Sequence, residues 1–485
     1  MFSMVFLTIS LCLNALEKPN IILIMADDLG YGDVAFTGNP KVKTPVLDKM
    51  AETQVRFDWF YAAAPVCTPT RVSCLTGRHP SRVNMSWAFK GALPKEEITL
   101  AEILRDNGYR TGHFGKWHLG QLSKTVKQTY SPNPVSAKLY SPPWENGFDT
   151  SFSVENSVPS FNPYYLTCGE FGSKDYLMVM DKAVKKGQRT GGFVWRDRFW
   201  EGPGKIHDEW LEGALPEILI NQSLKFINKS VKDKKPFLSL IWFSTPHSPV
   251  VAGPKHRALY KDLSMGEQHW YGSITAMDEQ IGVLKEELKN LGVSDNTIIW
   301  FCSDNGPSWV HELNSAGPFK GKKGSLSEGG IRVPSVLEWP AKFKKPISIS
   351  EVVTTSDFYP TLLKWAGITI NHNLIIDGED VSKVISGKSK RTKAVGFQAP
   401  VMKSNAKDTK AWNKIGGRQM VWLKNGLKLI SIDDGSTFEL YDLKKDKEEK
   451  VNIAADNPEI LKTMKSELIA WLQSCKDSAD GKEYK

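Results

Sequence analysis

Three stretches of the chain run apolar with almost no alternation and then break off at side chains that carry oxygen or nitrogen. They are NIILIMADD at 20–28, KPFLSLIWFSTPHSP at 235–249 and NTIIWFCSDN at 296–305. Unalternating runs of this length predict strands covered on both faces, as in a parallel sheet between layers of helices. Ligands of open α/β sheets sit beyond the carboxyl ends of such strands, so the three polar tails are expected to meet in one place.

Helical spacing fills the intervals. TLAEILRDNGY at 99–109 opens with Thr99 and Glu102 three residues apart, the signature of a capping box, and stops at Gly108. GSITAMDEQIGVLKEELKNLG at 272–292 repeats its apolar positions at helical intervals. Together these predict an α/β fold: a large, mostly parallel sheet flanked by helices.

Two regions depart from this plan. From about 131 to 210 the chain is rich in aromatic, Pro and Gly residues without a clear period. There Trp144, Phe161, Tyr164, Tyr165, Trp195, Trp200 and Trp210 read as packing, with a sugar-stacking rim as the alternative. A Lys- and Ser-rich stretch at 386–392 reads as a linker. Beyond it QMVWLKNGLKLISIDDGSTFELYDL alternates as an antiparallel meander does, with turns at Asn425-Gly426 and Asp434-Gly435, and a helix is expected over 458–474. The expected division is a leader at 1–15, an α/β domain at 16–388, and a smaller sheet-plus-helix subdomain at 389–485.

Length and composition, 485 residues and 41% apolar, suit a globular chain with at least one large core. MVFLTISLCLNA at 4–15 reads as the apolar core of a secretory leader cut near Ala15, although no Lys or Arg precedes it; a lipoprotein site at Cys12 or a buried first strand are the alternatives. The expected location is therefore outside the cytoplasm, in a periplasm, at the cell surface or in the medium. No later apolar run approaches the roughly 20 residues of a membrane helix, so stable membrane insertion is not expected. The net charge of +9 favours a polyanionic partner without requiring nucleic acid. Six cysteines, at 12, 67, 74, 168, 302 and 475, show no zinc-type spacing, and a disulfide among 74, 168, 302 and 475 stays open.

Candidate chemistry begins with APVCTPTRVSCLTGRHPSR at 64–82, where Cys67 stands among hydroxyl-bearing and basic residues, an unusual setting for a structural thiol. Asp27, Asp28, Asp304 and Asn305 offer oxygen ligands without thiolate partners, a set suited to Ca²⁺ or Mg²⁺ rather than zinc. Either pair alone could simply cap the turn after its strand.

CTPTR followed by LTGRHPSR, with NIILIMADDLGYGD, GYRTGHFGKWHLG, CSDNGP and GKKGSLSEGGIRVP, resembles the formylglycine-dependent sulfatases of the alkaline-phosphatase-like superfamily, in particular the secreted bacterial polysaccharide sulfatases. The motifs stand in the family's order as far as about Pro334, and ELYDLKKDKEEKVNIAA resembles the family's small second domain. The resemblance implies that a separate formylglycine-generating maturase oxidises Cys67 to an aldehyde. Hydrated, that aldehyde carries two hydroxyls on one carbon: one attacks sulfur, and the other loses its proton to expel sulfate and restore the aldehyde. A serine would remain as a stable sulfate ester.

The resemblance further implies roles. Asp27, Asp28, Asp304 and Asn305, with the modified Cys67, match ligands of a metal that is Ca²⁺ in preference to Mg²⁺. Arg71 matches a fixed cation beside the nucleophile, and Lys116 and His118 match a pair that contacts the sulfate and takes the second hydroxyl's proton. His247 and Lys323 match residues that bind the sulfate and the leaving oxygen, with Lys320 the nearby competitor for Lys323. The implied activity is hydrolysis of sulfate esters, on sulfated polysaccharides or oligosaccharides such as ulvan or carrageenan. Two alternatives are a phosphomonoester or phosphonate hydrolase of the same superfamily and a non-catalytic binder of sulfated glycans, should Cys67 stay unconverted.

Overall fold

The computed structural model describes residues 18–128, 137–166, 193–194, 196–308, 313–402 and 415–484. The expected leader, Cys12, Cys168 and Trp195 lie outside the described residues, as does the side chain of Tyr165. The large sheet has ten strands, in chain order Asn20–Ala26 (β1), Val55–Phe57 (β2), Arg110–Lys116 (β3), Thr150–Val154 (β4), Trp200–Gly202 (β5), Lys205–Ile206 (β6), Phe237–Trp242 (β7), Thr297–Ser303 (β8), Ser335–Glu338 (β9) and Ile347–Ile349 (β10). Their spatial order is β10-β2-β9-β8-β1-β7-β3-β4-β5-β6. The central five, β8 to β4, are parallel; outside them the pairings are antiparallel except at the edge, where β10 runs parallel to β2. All three apolar stretches therefore lie side by side, β1 flanked by β7 and β8, and their polar tails emerge at one end.

Each face of β1 feeds a separate core. Ile21, Leu23 and Met25 pack with residues of Cys67–Thr76 (α1), Leu100–Asp106 (α2) and Phe358–Trp365 (α3). Ile22, Ile24 and Ala26 pack with residues of the long helices Leu215–Lys232 and Met265–Asn290. The capping box at Thr99 forms as expected: Glu102 N–H donates to Thr99 Oγ1 (3.1 Å) and Thr99 N–H to Glu102 Oε2 (2.8 Å).

A second sheet, Val395–Met402 (β11), Ile415–Lys424 (β12), Leu427–Ser431 (β13) and Glu439–Asp442 (β14), is antiparallel throughout. Asn425 and Gly426, at φ 56° and 85°, make the left-handed turn that their sequence predicts. One face of this sheet rests on the helix Pro458–Ala479, and the other on Tyr61, Leu326, Ile331 and Val352 of the large body.

Two regions are more ordered than their composition suggests. The aperiodic 131–210 region contributes three strands to the large sheet, β4 to β6; they are too short to show a period, and Ser151 and Ser153 of β4 are buried by bonding to a backbone carbonyl and to His113. The Lys/Ser-rich stretch is pinned: Arg391 donates to buried Asp357 (2.6 Å), and the Thr392 hydroxyl to Glu379 (2.9 Å). Of the aromatics proposed for a rim, Tyr164 and Trp200 are core residues and Trp210 is exposed. The described cysteines, Cys67, Cys74, Cys302 and Cys475, are buried free thiols.

Candidate active site

The strand ends and the amino end of α1 enclose one polar centre. Asp27 and Asp28 leave β1, Asp304 and Asn305 leave β8, Lys116 closes β3 and His247 follows β7. Cys67 is the first residue of α1, and Arg71 lies one turn further on the same helix, so both side chains meet the strand ends.

Arg71 is fully buried. Its Nη2 lies 2.7 Å from Asp304 Oδ2, its Nη1 donates to the carbonyl of Lys116 (2.8 Å), and its guanidinium stacks over Trp242 at 5.1 Å. Lys116 Nζ lies 2.6 Å from Asp27 Oδ2, which also accepts from the Ser157 hydroxyl (3.1 Å). Lys323 Nζ contacts Asp28 Oδ1 at 2.5 Å, and Asn305 Nδ2 donates to the same oxygen at 2.7 Å. Lys320 is exposed, so it is Lys323 that enters the centre. His247 places Nε2 3.6 Å from Asp28 Oδ2 while its Nδ1 meets the Ser248 carbonyl at 2.7 Å; it is the most exposed of these groups, at 23%. His118 has a left-handed backbone (φ 57°), its carbonyl accepts from Thr68 of α1, and its ring lies edge-on to Phe89. All ten side chains expected from sequence are thus gathered here. Ser157 and Trp242 are additions: a serine in an aperiodic stretch and a tryptophan inside an apolar strand carry no signal of this role.

The charges explain the titration behaviour. Burial alone would raise Asp27, but Lys116, His247, Arg71 and Lys323 outweigh it and hold the carboxyl well below its usual range. Burial of Asp28 is likewise overcome by Lys323 and His247. Asp304 goes the other way: burial and the Asp27 charge push it up to about 7 in spite of Arg71. Burial raises the Cys67 thiol, with Lys116 and Lys323 opposing. Burial also keeps His118 well below its ordinary value, helped by Lys116 and Arg71, and lowers His247.

Three carboxylates crowded together favour a cation, and two buried oxygens point to where it fits. Asp27 Oδ1 and Asn305 Oδ1 have no hydrogen-bond partner. One ligand atom each from Asp27, Cys67 and Asp304 lies within 4.8 Å of the other two, as is also true of Asp27, Asp28 and His247. Oxygen donors of this kind suit a hard divalent cation.

The sulfatase family profile matches residues 19–368, and the profile described as N-sulphoglucosamine sulphohydrolase, C-terminal, matches residues 322–474. The chain belongs to the sulfatase family. Arylsulfatase G of Mus musculus is 31% identical over 420 residues, 78% of this sulfatase and 71% of that protein. Steryl-sulfatase of Homo sapiens is 30% identical over 431 residues with the same coverage. The crystal structure of Ps i-CgsB in complex with k-i-k-neocarrahexaose superposes with a TM-score of 0.76 at 26% identity, over 94% of this chain and 93% of that one. This sulfatase is accordingly a sulfuric ester hydrolase.

Proposed function

We propose that this sulfatase removes sulfate from sulfated polysaccharides or their oligosaccharides, of the carrageenan or ulvan kind, after a maturase has converted Cys67 to formylglycine and with Ca²⁺ held by Asp27, Asp28, Asp304 and Asn305. The observation that carries this reading is the setting of Cys67. Its sulfur lies within 4.8 Å of carboxylate oxygens of Asp27 and Asp304, and the charges of Lys116 and Lys323 reach it. A thiol buried among carboxylates is a poor nucleophile. An oxygen at the same position would instead meet a hard cation and fixed positive charges.

When bound, calcium supplies positive charge that favours an ionised oxygen at position 67. The chain's own residues do the rest. Arg71, tied to Asp304, to a backbone carbonyl and to the face of Trp242, is a cation with no freedom to move. Lys116 and Lys323 neutralise charge on the oxygens of a transferring sulfuryl group, with no reorganisation needed at the moment of reaction. His118, held neutral by burial, can accept a proton from a hydroxyl at carbon 67. His247 and Lys323, the more exposed groups, would be the ones to meet the leaving oxygen of the alcohol.

A net charge of +9 favours a polyanion, and the neocarrahexaose complex of Ps i-CgsB makes carrageenan oligosaccharides the first substrates to try. The apolar stretch at 4–15, read as the core of a leader over 1–15, is the reason to expect export. The test is free sulfate released from carrageenan, ulvan and glycosaminoglycan oligosaccharides by enzyme co-produced with a formylglycine-generating enzyme, with Cys67→Ala as control. Release from one class, absent in the control, establishes the reaction and the substrate class. An aldehyde confirmed at position 67 by peptide mass, with no release from any of them, overturns the substrate assignment. Full activity in Cys67→Ala overturns the mechanism.

A further inference from the structure

Lys323 reaches the active site from a loop that belongs to neither the strand ends nor α1. The loop is tied to the large body by two backbone bonds, Lys323 N–H to the Pro307 carbonyl (2.9 Å) and Gly324 N–H to the Pro65 carbonyl (2.8 Å), the latter two residues before Cys67. Its outer side is held by one side chain from the second sheet. Gln419, on β12 and buried, donates from Nε2 to the Gly324 carbonyl (2.6 Å) and to the Pro400 carbonyl (3.0 Å), while its Oε1 accepts from Leu326 N–H (2.8 Å).

A carboxamide is the group these partners require. Two carbonyls need N–H donors and one N–H needs an acceptor, which a primary amide satisfies at once. By bonding residues 324 and 326 on the same side, Gln419 pairs with the loop as a neighbouring strand would. Further along the chain, Glu328 N–H donates to Glu449 Oε2 (2.8 Å), so both ends of the segment following Lys323 are anchored in the C-terminal sheet region.

We infer that Gln419 is a positioning residue for Lys323, and that the second sheet thereby sets the placement of a cation in the active site. The inference rests on the reading of Lys323 as a residue that contacts the transferring group. Gln419 touches no reacting atom; its effect passes through the Gly324 backbone, one residue from Lys323. Displacement of an active-site group by about 1 Å costs on the order of 10²-fold in rate, and a loop released on one side is expected to lose about 10- to 100-fold.

The test is a double-mutant cycle in the full-length, aldehyde-bearing enzyme, with 4-nitrophenyl sulfate as the probe. The variants are Gln419→Met, Lys323→Ala and the pair together, with peptide mass used to equalise conversion at position 67. The expected result is a fall of about 10- to 100-fold in kcat/KM for Gln419→Met and no further fall when it is added to Lys323→Ala, because two residues acting through one contact are not additive. If Gln419→Met keeps wild-type kcat/KM, or lowers it by the same factor with and without Lys323, the inference is overturned. If Lys323→Ala itself is as active as wild type, it is the reading of Lys323 that fails, a distinct outcome. Should Gln419→Met yield little folded enzyme, Gln419→Glu, which keeps the acceptor for Leu326 but sets a carboxylate against two carbonyls, carries the same cycle.

Discussion

Lys116 Nζ and Asp27 Oδ2 stand 2.6 Å apart with neither group exposed to solvent, the ends of two strands joined by a buried ion pair. Asp27 keeps a second, unpaired oxygen, so the lysine neutralises one side of the carboxylate and leaves the other for a cation.

Lys116→Met is therefore expected to lower kcat by about 10²- to 10³-fold, the usual effect of losing a fixed charge on a developing oxyanion. It should also destabilise the calcium-free protein by about 3–5 kcal/mol, because a buried carboxylate loses its partner. Turnover of 4-nitrophenyl sulfate and urea unfolding in chelator check the two parts. A rate within threefold of wild type would place Lys116 outside the chemistry.

Chelation is expected to abolish activity and lower the unfolding midpoint, with calcium restoring both. Calcium at 100 times its dissociation constant should add about 2.7 kcal/mol to stability. Asp304→Ala should lose that increment. Activity insensitive to chelators would mean that the strand-end carboxylates serve only as caps.

Cys74 lies about two helix turns beyond Cys67, in the apolar core beneath the sheet, and burial drives its thiol far above the ordinary range. Cys74→Ala should cost about 1–2 kcal/mol and leave kcat unchanged. Loss of turnover in a variant that still folds and still carries the aldehyde at 67 would contradict this separation of roles.

Lys428 of β13 is buried between Glu328 Oε1 at 2.8 Å and Glu449 Oε1 at 2.9 Å. Removing the cation leaves two buried carboxylates facing each other. Lys428→Met is expected to lose about 3–5 kcal/mol, measured by urea unfolding, and Glu449→Gln should lose less because Lys428 keeps its bond to Glu328.

Acid should weaken the fold through His79. Burial lowers its native value to about 4, against about 6.5 in an unfolded chain. Between these values the unfolded state holds a proton that the native state lacks, so stability falls as pH falls, by about 3 kcal/mol for this group at pH 4. Asp33, raised to about 7 by burial, has the opposite sign, its native state gaining stability over the same range as it takes up a proton. The difference in unfolding free energy between wild type and His79→Gln should accordingly narrow by about 3 kcal/mol from pH 7 to pH 4. A difference that stays constant with pH would show that His79 is protonated equally in both states.

The parts of the fold most legible in the sequence were those whose surroundings are uniform. β1, β7 and β8 are wrapped in apolar side chains on both faces, so their burial is written in every residue, and their polar tails then locate the site. β4 to β6 were hidden because two to five residues are too few to display a period, and because buried Ser151 and Ser153 look like loop residues until their partners are known. The 386–392 stretch resembles a linker by composition, yet Arg391 finding a buried aspartate and Thr392 finding Glu379 tie it down. Trp242 and Gln419 were illegible for a different reason: nothing distinguishes an apolar strand tryptophan, or one glutamine in an alternating strand, until the tertiary fold sets Arg71 against one and the Lys323 loop against the other.

The strand order also governs when this centre can exist. Its members are spread from Asp27 to Lys323, with Gln419 behind them, and β1 acquires its neighbour β8 only after more than half the chain has been made. A growing polypeptide holds Cys67 and Arg71 long before Asp304 is available to receive the guanidinium. Contacts at such sequence separation form late and slowly. A cation taken up by these strand-end carboxylates would thus join only at the last stage of folding, and a chain interrupted anywhere ahead of residue 304 carries Cys67 and Arg71 without the carboxylate that Arg71 binds.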